Sequence, residues 1–311
     1  MNNGVMNYET FKQQVEEQIK NYIPDIKGNV VIRKVLKNNC ELDSIAILNV
    51  DSSITPTLHI DDMYEAYLVS QNFDDVMRCF ADAYLKHLNN VPDIEPKIGT
   101  KEFIKDHVIM YLVNADHNKK LLDSAAHIKY LDLAILFRVV VSIDDKSVGS
   151  YILSKELANN IGISDEELSE RAYKNTFEIF QPKCNSMWDV LKEKIPEEML
   201  GEIADSENNV PMYVATTELF VNGAVVMMNK VFMKEFADKI DDDFYILPSS
   251  VHEVIFIPSS YCNDASYLKE MVGEVNGTVV DDVDFLSNSV YMYNRSSDNI
   301  VIVSDERSDD K

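Results

Sequence analysis

The residues with the clearest chemical potential stand in the run Pro248-Ser249-Ser250-Val251-His252-Glu253-Val254-Ile255-Phe256. Histidine followed by glutamate opens the HExxH zinc motif, in which helical spacing sets two imidazoles on one face. Here Phe256 occupies the place of the second imidazole. The run Val251–Ile257 also reads as a strand, on which His252 and Glu253 point to opposite faces. The pattern therefore does not support a metalloprotease. Ser250 and His252, two residues apart, share a face of that strand. Ser250, His252 and Glu253 are the candidate set for a hydrolase-like enzyme: nucleophile, base and carboxylate. No GxSxG elbow accompanies them. Pro-Ser-Ser occurs at 248–250 and again at 258–260, which is also turn chemistry, with hydroxyls bonding local backbone. The simpler role for His252 is a hydrogen bond to backbone or to a carboxylate.

Other chemistry is sparse. Asp61-Asp62, Asp144-Asp145, Asp241-Asp242-Asp243 and Asp281-Asp282 are acidic runs. None has the alternating oxygens, central glycine and terminal glutamate of a calcium loop, so no metal site is expected. They read as solvated turns, with Asp241–Asp243 between a helix and a strand. Cys40, Cys79, Cys184 and Cys262 are far apart and include no CxxC pair, so they read as free thiols in a reducing compartment. Nine glycines supply no GxGxxG and no GxxxxGK[ST], and no cofactor is expected.

Charge is the strongest compositional signal. Aspartate and glutamate number 53 against 29 lysines and arginines, a formal net charge of -24 in 311 residues. Such a chain repels nucleic-acid phosphates and anionic membrane surfaces. The apolar runs are too short to span a bilayer, and Met1–Thr10 lacks a signal core. Cytoplasmic residence is expected, with no direct nucleic-acid binding. The preferred function is a non-enzymatic binding or regulatory protein that engages a basic protein partner. Asp241, Asp242 and Asp243 would supply contact carboxylates, and a sharper version has the surface mimic nucleic-acid phosphates.

The elements that position these residues follow from periodicity. Tyr8, Phe11, Val15, Ile19 and Tyr22 share a helical face capped by Asn7 and stopped by Pro24. Val30–Leu36 and Ile45–Val50 read as a hairpin, with Thr57–Ile60 as a short edge strand. Asn72 caps a helix bearing Phe73, Val76, Met77, Phe80 and Tyr84. After a Pro/Gly loop at Val91–Gly99 come apolar strands at Val108–Val113, Leu133–Val141 and Val148–Leu153. Ser164 with Glu167 is a capping box for a helix ending before Pro182. The remainder reads as a β-β-α-β-β-α-β-β unit. Its strands are Met212–Thr216, Ala224–Met228, Phe244–Leu247, Val251–Ile257, Val290–Tyr293 and Ile300–Val303. One helix carries the stripe Phe232, Met233, Phe236, Ala237 and Ile240, and the other the stripe Leu268, Met271, Val272 and Val275, capped by Asp264. The fold class is α+β, with mostly antiparallel sheets covered by helices. A boundary near Gln181–Lys183 divides residues 1–180 from 186–304, with a charged tail at 305–311.

Several segments resemble an uncharacterised, largely clostridial family called domain of unknown function 5688. They are Met6-Asn7-Tyr8-Glu9-Thr10-Phe11, Val35-Leu36-Lys37-Asn38-Asn39, and Trp188 with Val190 and Leu191. Tyr245-Ile246-Leu247-Pro248-Ser249-Ser250-Val251-His252-Glu253-Val254, Glu274-Val275-Asn276 and Leu286-Ser287-Asn288-Ser289-Val290-Tyr291 complete the likeness. It covers Met6 to about Tyr293. The resemblance implies a cytoplasmic bacterial protein, marks Leu247–Val254 as its most distinctive segment, and assigns no catalytic residue.

Overall fold

The computed structural model describes residues 5–23, 28–48, 57–89, 97–143, 148–195, 210–262 and 265–303. The chain divides into two compact units, Met1–Phe103 and Ile104–Lys311. Both are α+β with antiparallel sheets.

In the first unit, α1 (Tyr8–Tyr22) starts where the Asn7 side chain accepts the Thr10 N–H at 2.9 Å. That bond satisfies one of the donors a helix start leaves open. Strands β1 (Asn29–Leu36) and β2 (Glu41–Leu48) form a hairpin in which Ile32 faces Ile45 and Val30 faces Ile47. The short β3 (Thr57–His59) pairs with the other edge of β2. Helices α2 (Ile60–Ser70) and α3 (Phe73–Asn89) complete the unit. Phe11, Val15, Ile19, Ile45, Ile47, Met63, Tyr67 and Met77 form the core. Pro24, Val50 and Pro56 lie outside the described residues.

Short helices α4 (Lys101–His107), α5 (Lys119–Ser124), α6 (Lys155–Asn160) and α8 (Met187–Lys194) follow in sequence. The second unit holds two sheets. In the four-stranded sheet, β6 (Leu133–Ile143) lies between β4 (Val108–Asn114) on one side and two shorter strands on the other. Those are β5 (His127–Tyr130), along its first half, and β7 (Val148–Ile152), along its second. The open edge of β4 would leave backbone groups unpaired. Instead Met110 N–H donates to Thr176 Oγ1, while Val108 O and Met110 O accept from the side-chain amides of Asn175 and Asn222. Asn175 and Thr176 sit on α7 (Asp165–Ile179), begun by Ser164 as its spacing predicts. Buried polar side chains here serve as caps for a strand edge.

The second sheet has six antiparallel strands in the order β13-β12-β10-β11-β9-β8. They are β8 (Pro182–Ser186), β9 (Tyr213–Thr217), β10 (Phe244–Leu247), β11 (Val254–Pro258), β12 (Tyr291–Asn294) and β13 (Asn299–Ile302). Helices α9 (Lys230–Ile240) and α10 (Ala265–Thr278) lie between these strands in sequence. Two expectations are corrected. Ala224–Met228 is no strand: Gly223–Met228 is a 3-10 helix whose residues from Gly223 to Met227 are all buried. A short run buried on every side carries no period that separates strand from helix. The strand expected from Val251 begins instead at Val254, because residues 251–252 form a bend after Ser250, which makes an isolated bridge to Phe285.

Gln181 marks a change of sheet within the second unit, whereas the compact units part at Phe103. Residues on the two sides of Gln181 are tied by hydrogen bonds. Asn222 reaches Met110 O, Asn114 reaches Leu286 O, and Asp132 accepts the hydroxyls of Ser287, Ser289 and Tyr291. The 305–311 tail and Asp264 lie outside the described residues.

Candidate functional site

The segment Pro248–Val251 is laced to Asp284–Ser287. Val251 N–H donates to Asp284 O at 2.8 Å, Leu286 N–H to Ser249 O and Ser287 N–H to Pro248 O, each at 3.0 Å. This short ladder presents His252 at its end. The His252 carbonyl accepts Thr216 Oγ1 at 2.7 Å. Gly223 passes so close that a Cβ there would lie 1.8 Å from the same carbonyl oxygen. Only glycine admits this approach.

Both imidazole nitrogens are engaged. Asn222 N–H points to Nδ1 at 3.4 Å, and Nε2 lies 3.2 Å from Asp284 Oδ1. A backbone N–H can only donate, so Nδ1 carries the lone pair and Nε2 carries the proton shared with Asp284. A serine mechanism needs that lone pair aimed at the hydroxyl. Here it is aimed at backbone. Ser250 Oγ meets His252 only as an acceptor of its main-chain N–H, at 3.0 Å, the turn chemistry that Pro-Ser-Ser suggests. Glu253 is exposed. Ser250 and His252 are therefore brought together through backbone, and neither Glu253 nor an aligned base completes a nucleophilic set. Their expected shared strand face is absent, since both precede β11.

The three aspartates are held by their own fold. Asp241 closes α9 in the left-handed conformation, φ 55°, and pairs with Arg295. Asp242 accepts Ser259 Oγ and Ser260 N–H, each at 2.8 Å. Asp243 accepts Arg295 N–H at 2.8 Å and the Asn294 amide at 3.3 Å. Partial burial alone would raise the Asp242 carboxyl. The bonds from Ser259 and Ser260 outweigh it and hold the group below the usual carboxylate range.

A different acidic surface lies on α10 and the turn after it. Glu270, Glu274 and Asp281 are exposed there, interleaved with Tyr267, Val275 and Val279, which are 62%, 38% and 76% exposed. On the inner side Leu268 and Val272 pack into the core. By periodicity Leu268 and Val275 share one helical stripe, which leaves the outer face without a role. The alternation of carboxylates with Tyr267, Val275 and Val279 was the available signal.

Two further groups have no counterpart in the sequence reading. Asp132 gathers three hydroxyls, from Ser287 at 2.6 Å, Ser289 at 2.9 Å and Tyr291 at 2.5 Å. Arg138 is a lone cation in the apolar run of β6, and its charge lies over the Tyr111 ring at 4.9 Å from the centroid. Among the described residues no group of three or more histidines, cysteines or carboxylates is arranged to hold a metal ion. The four cysteines are free. No helix among the described residues is long and apolar enough to cross a membrane.

A family model described as a family of unknown function, DUF5688, matches residues 8–295. The chain belongs to that family. The matched span contains the His252 bend, the aspartate run and the whole of α10. No curated protein and no solved structure matches the chain.

Proposed function

We propose that this DUF5688 protein is a non-catalytic binding protein that engages a basic protein partner through the outer face of α10. The observation that carries the reading is the strip itself. Glu270, Glu274 and Asp281 offer charge, and Tyr267, Val275 and Val279 offer apolar area between them. A mixed strip of this kind suits a partner that is basic and amphipathic, since carboxylates steer the encounter and aromatic and aliphatic groups supply desolvated contact. The net charge of -24 acts in the same direction at longer range. The hydrolase alternative is disfavoured by the commitment of the His252 lone pair to Asn222 N–H.

The test is capture of partners from native lysate at low salt, followed by a binding assay on the purified partner. Glu270→Lys with Glu274→Lys should abolish binding, and Tyr267→Ala should weaken it. His252→Ala should bind as wild type does. A nucleic-acid competitor that displaces the protein from its partner would establish the phosphate-mimic version. Hydrolysis of model esters that disappears in Ser250→Ala would favour the enzyme instead.

A further inference from the structure

Among the described residues Arg138 is the charged side chain with a buried nitrogen that lacks a hydrogen-bond partner. It interrupts the run Leu133-Ala134-Ile135-Leu136-Phe137 and Val139-Val140, every other member of which is buried. Its Nε is buried and has no hydrogen-bond partner. Among the described residues it makes no ion pair, and its guanidinium lies over the face of Tyr111. Tyr111 likewise has no hydrogen bond to its hydroxyl among the described residues.

The register explains why they meet. Arg138 pairs with Ile109 on β4 and with Ile152 on β7, while Tyr111 pairs with Leu136. Cross-strand partners share a face, and residues two apart along a strand share it too. Arg138, Tyr111 and Ile152 therefore stand on one side of the sheet. Burial acts on both polar groups, lowering the affinity of Arg138 for its proton and raising the Tyr111 hydroxyl above its ordinary value. A half-buried cation with a buried, unpartnered nitrogen is costly to fold. That cost falls when an oxyanion is supplied.

We propose that Arg138 and Tyr111 form a binding site for the carboxylate of a small organic acid. The guanidinium fork takes the two carboxylate oxygens, since planar bidentate pairing is the geometry it favours. The Tyr111 hydroxyl donates beside it, and Ile152, half-buried on the next strand, covers the carbon skeleton. A single negative charge is preferred over two. The site holds one cation, and the Asp284 carboxylate is near enough to Tyr111 to act on its ionisation. This site is separate from the α10 strip and does not depend on it.

The full-length protein carries the test. The Arg138 Nε–H resonance, identified by its loss in Arg138→Gln, is followed while butyrate, acetate or inorganic phosphate replaces chloride at constant ionic strength. Butyrate should give a saturable shift and bind more tightly than acetate, with phosphate weaker by at least about tenfold. Thermal stabilisation by butyrate should vanish in Arg138→Gln and fall several-fold in Tyr111→Phe. If Arg138→Gln does not fold, the wild-type titration decides alone, with Arg138→Lys identifying the resonance. No saturable shift with either carboxylate would overturn the site, as would equal stabilisation of wild type and Arg138→Gln. Phosphate binding as tightly as butyrate would overturn the choice of a singly charged ligand.

Discussion

The run Asp241–Asp243 at the end of α9 and the strip from Tyr267 to Asp281 along α10 and the turn after it are both acidic segments, yet the fold uses their carboxylates in opposite ways. Asp241, Asp242 and Asp243 turn to Arg295, Ser259, Ser260 and Asn294, and knit the end of α9 to the turns after β11 and β12. Glu270, Glu274 and Asp281 stand exposed beside apolar side chains. The denser cluster of charge is thus the one bonded into the fold, with Asp241 still 86% exposed beside Arg295. A carboxylate that accepts backbone and hydroxyl donors already has its ligands, whereas one standing in solvent among exposed apolar groups is available to a partner.

That contrast can be broken by measuring what each carboxylate contributes to stability. The largest effect should come from Asp132, which accepts three side-chain hydroxyls. Asp132→Ala leaves Ser287, Ser289 and Tyr291 without their acceptor between the two sheets, and should cost about 3 kcal/mol in denaturant unfolding. A loss under about 0.5 kcal/mol would mean that water replaces the carboxylate without penalty.

Asp242→Ala should cost about 1–2 kcal/mol, since two hydrogen bonds to a charged acceptor are lost. Its pH dependence sharpens the point. The native Asp242 carboxyl is held below its ordinary value. The associated stability is present in full above the unfolded-state pKa near ~3.9. It is lost as pH falls from there through the lower native value. Asp43, lowered chiefly by its hydrogen bond from Lys12, follows the same sign in the first unit. Wild type should therefore lose stability in acid below that point more steeply than Asp242→Ala. Parallel acid limbs for the two proteins would contradict the structural role.

The smallest stability effect belongs to α10. Glu270→Lys with Glu274→Lys should move unfolding by no more than about 0.5 kcal/mol, because both side chains are exposed and neither is bonded to a side chain among the described residues. A large loss would place those glutamates with the aspartate run and remove the comparison.

Much of the fold was legible in the chain. Asn7 and Ser164 cap the helices their spacing predicts, and the apolar runs at Val108 and Leu133 became β4 and β6. Strand β8 was not, because Pro182-Lys183-Cys184-Asn185-Ser186 has little strand propensity and is held by pairing with β9. The 3-10 helix at Gly223 was missed because its apolar run fits a buried strand equally well. At the site, Ser250 and His252 were visible as residue types. Their roles were not, since Asn222, Thr216 and Asp284 come from 30 to 36 residues away. The bonds of the aspartate run were hidden for the same reason: Ser259 and Arg295 lie 17 and 54 residues from the groups they bind. Arg138 could have been found as a lone cation in an apolar strand.

The central claim is that exposed acidic groups on α10 recruit a basic partner. It is tested most directly by the association rate of the purified partner, measured across salt for wild type and for the Glu270→Lys, Glu274→Lys protein. The Debye length shrinks from ~30 Å at 0.01 M to ~8 Å at 0.15 M. Association with wild type should slow steeply over that range, and the double variant should be slow throughout. Equal rates at both salt concentrations, or a double variant that binds as wild type does, would contradict the account.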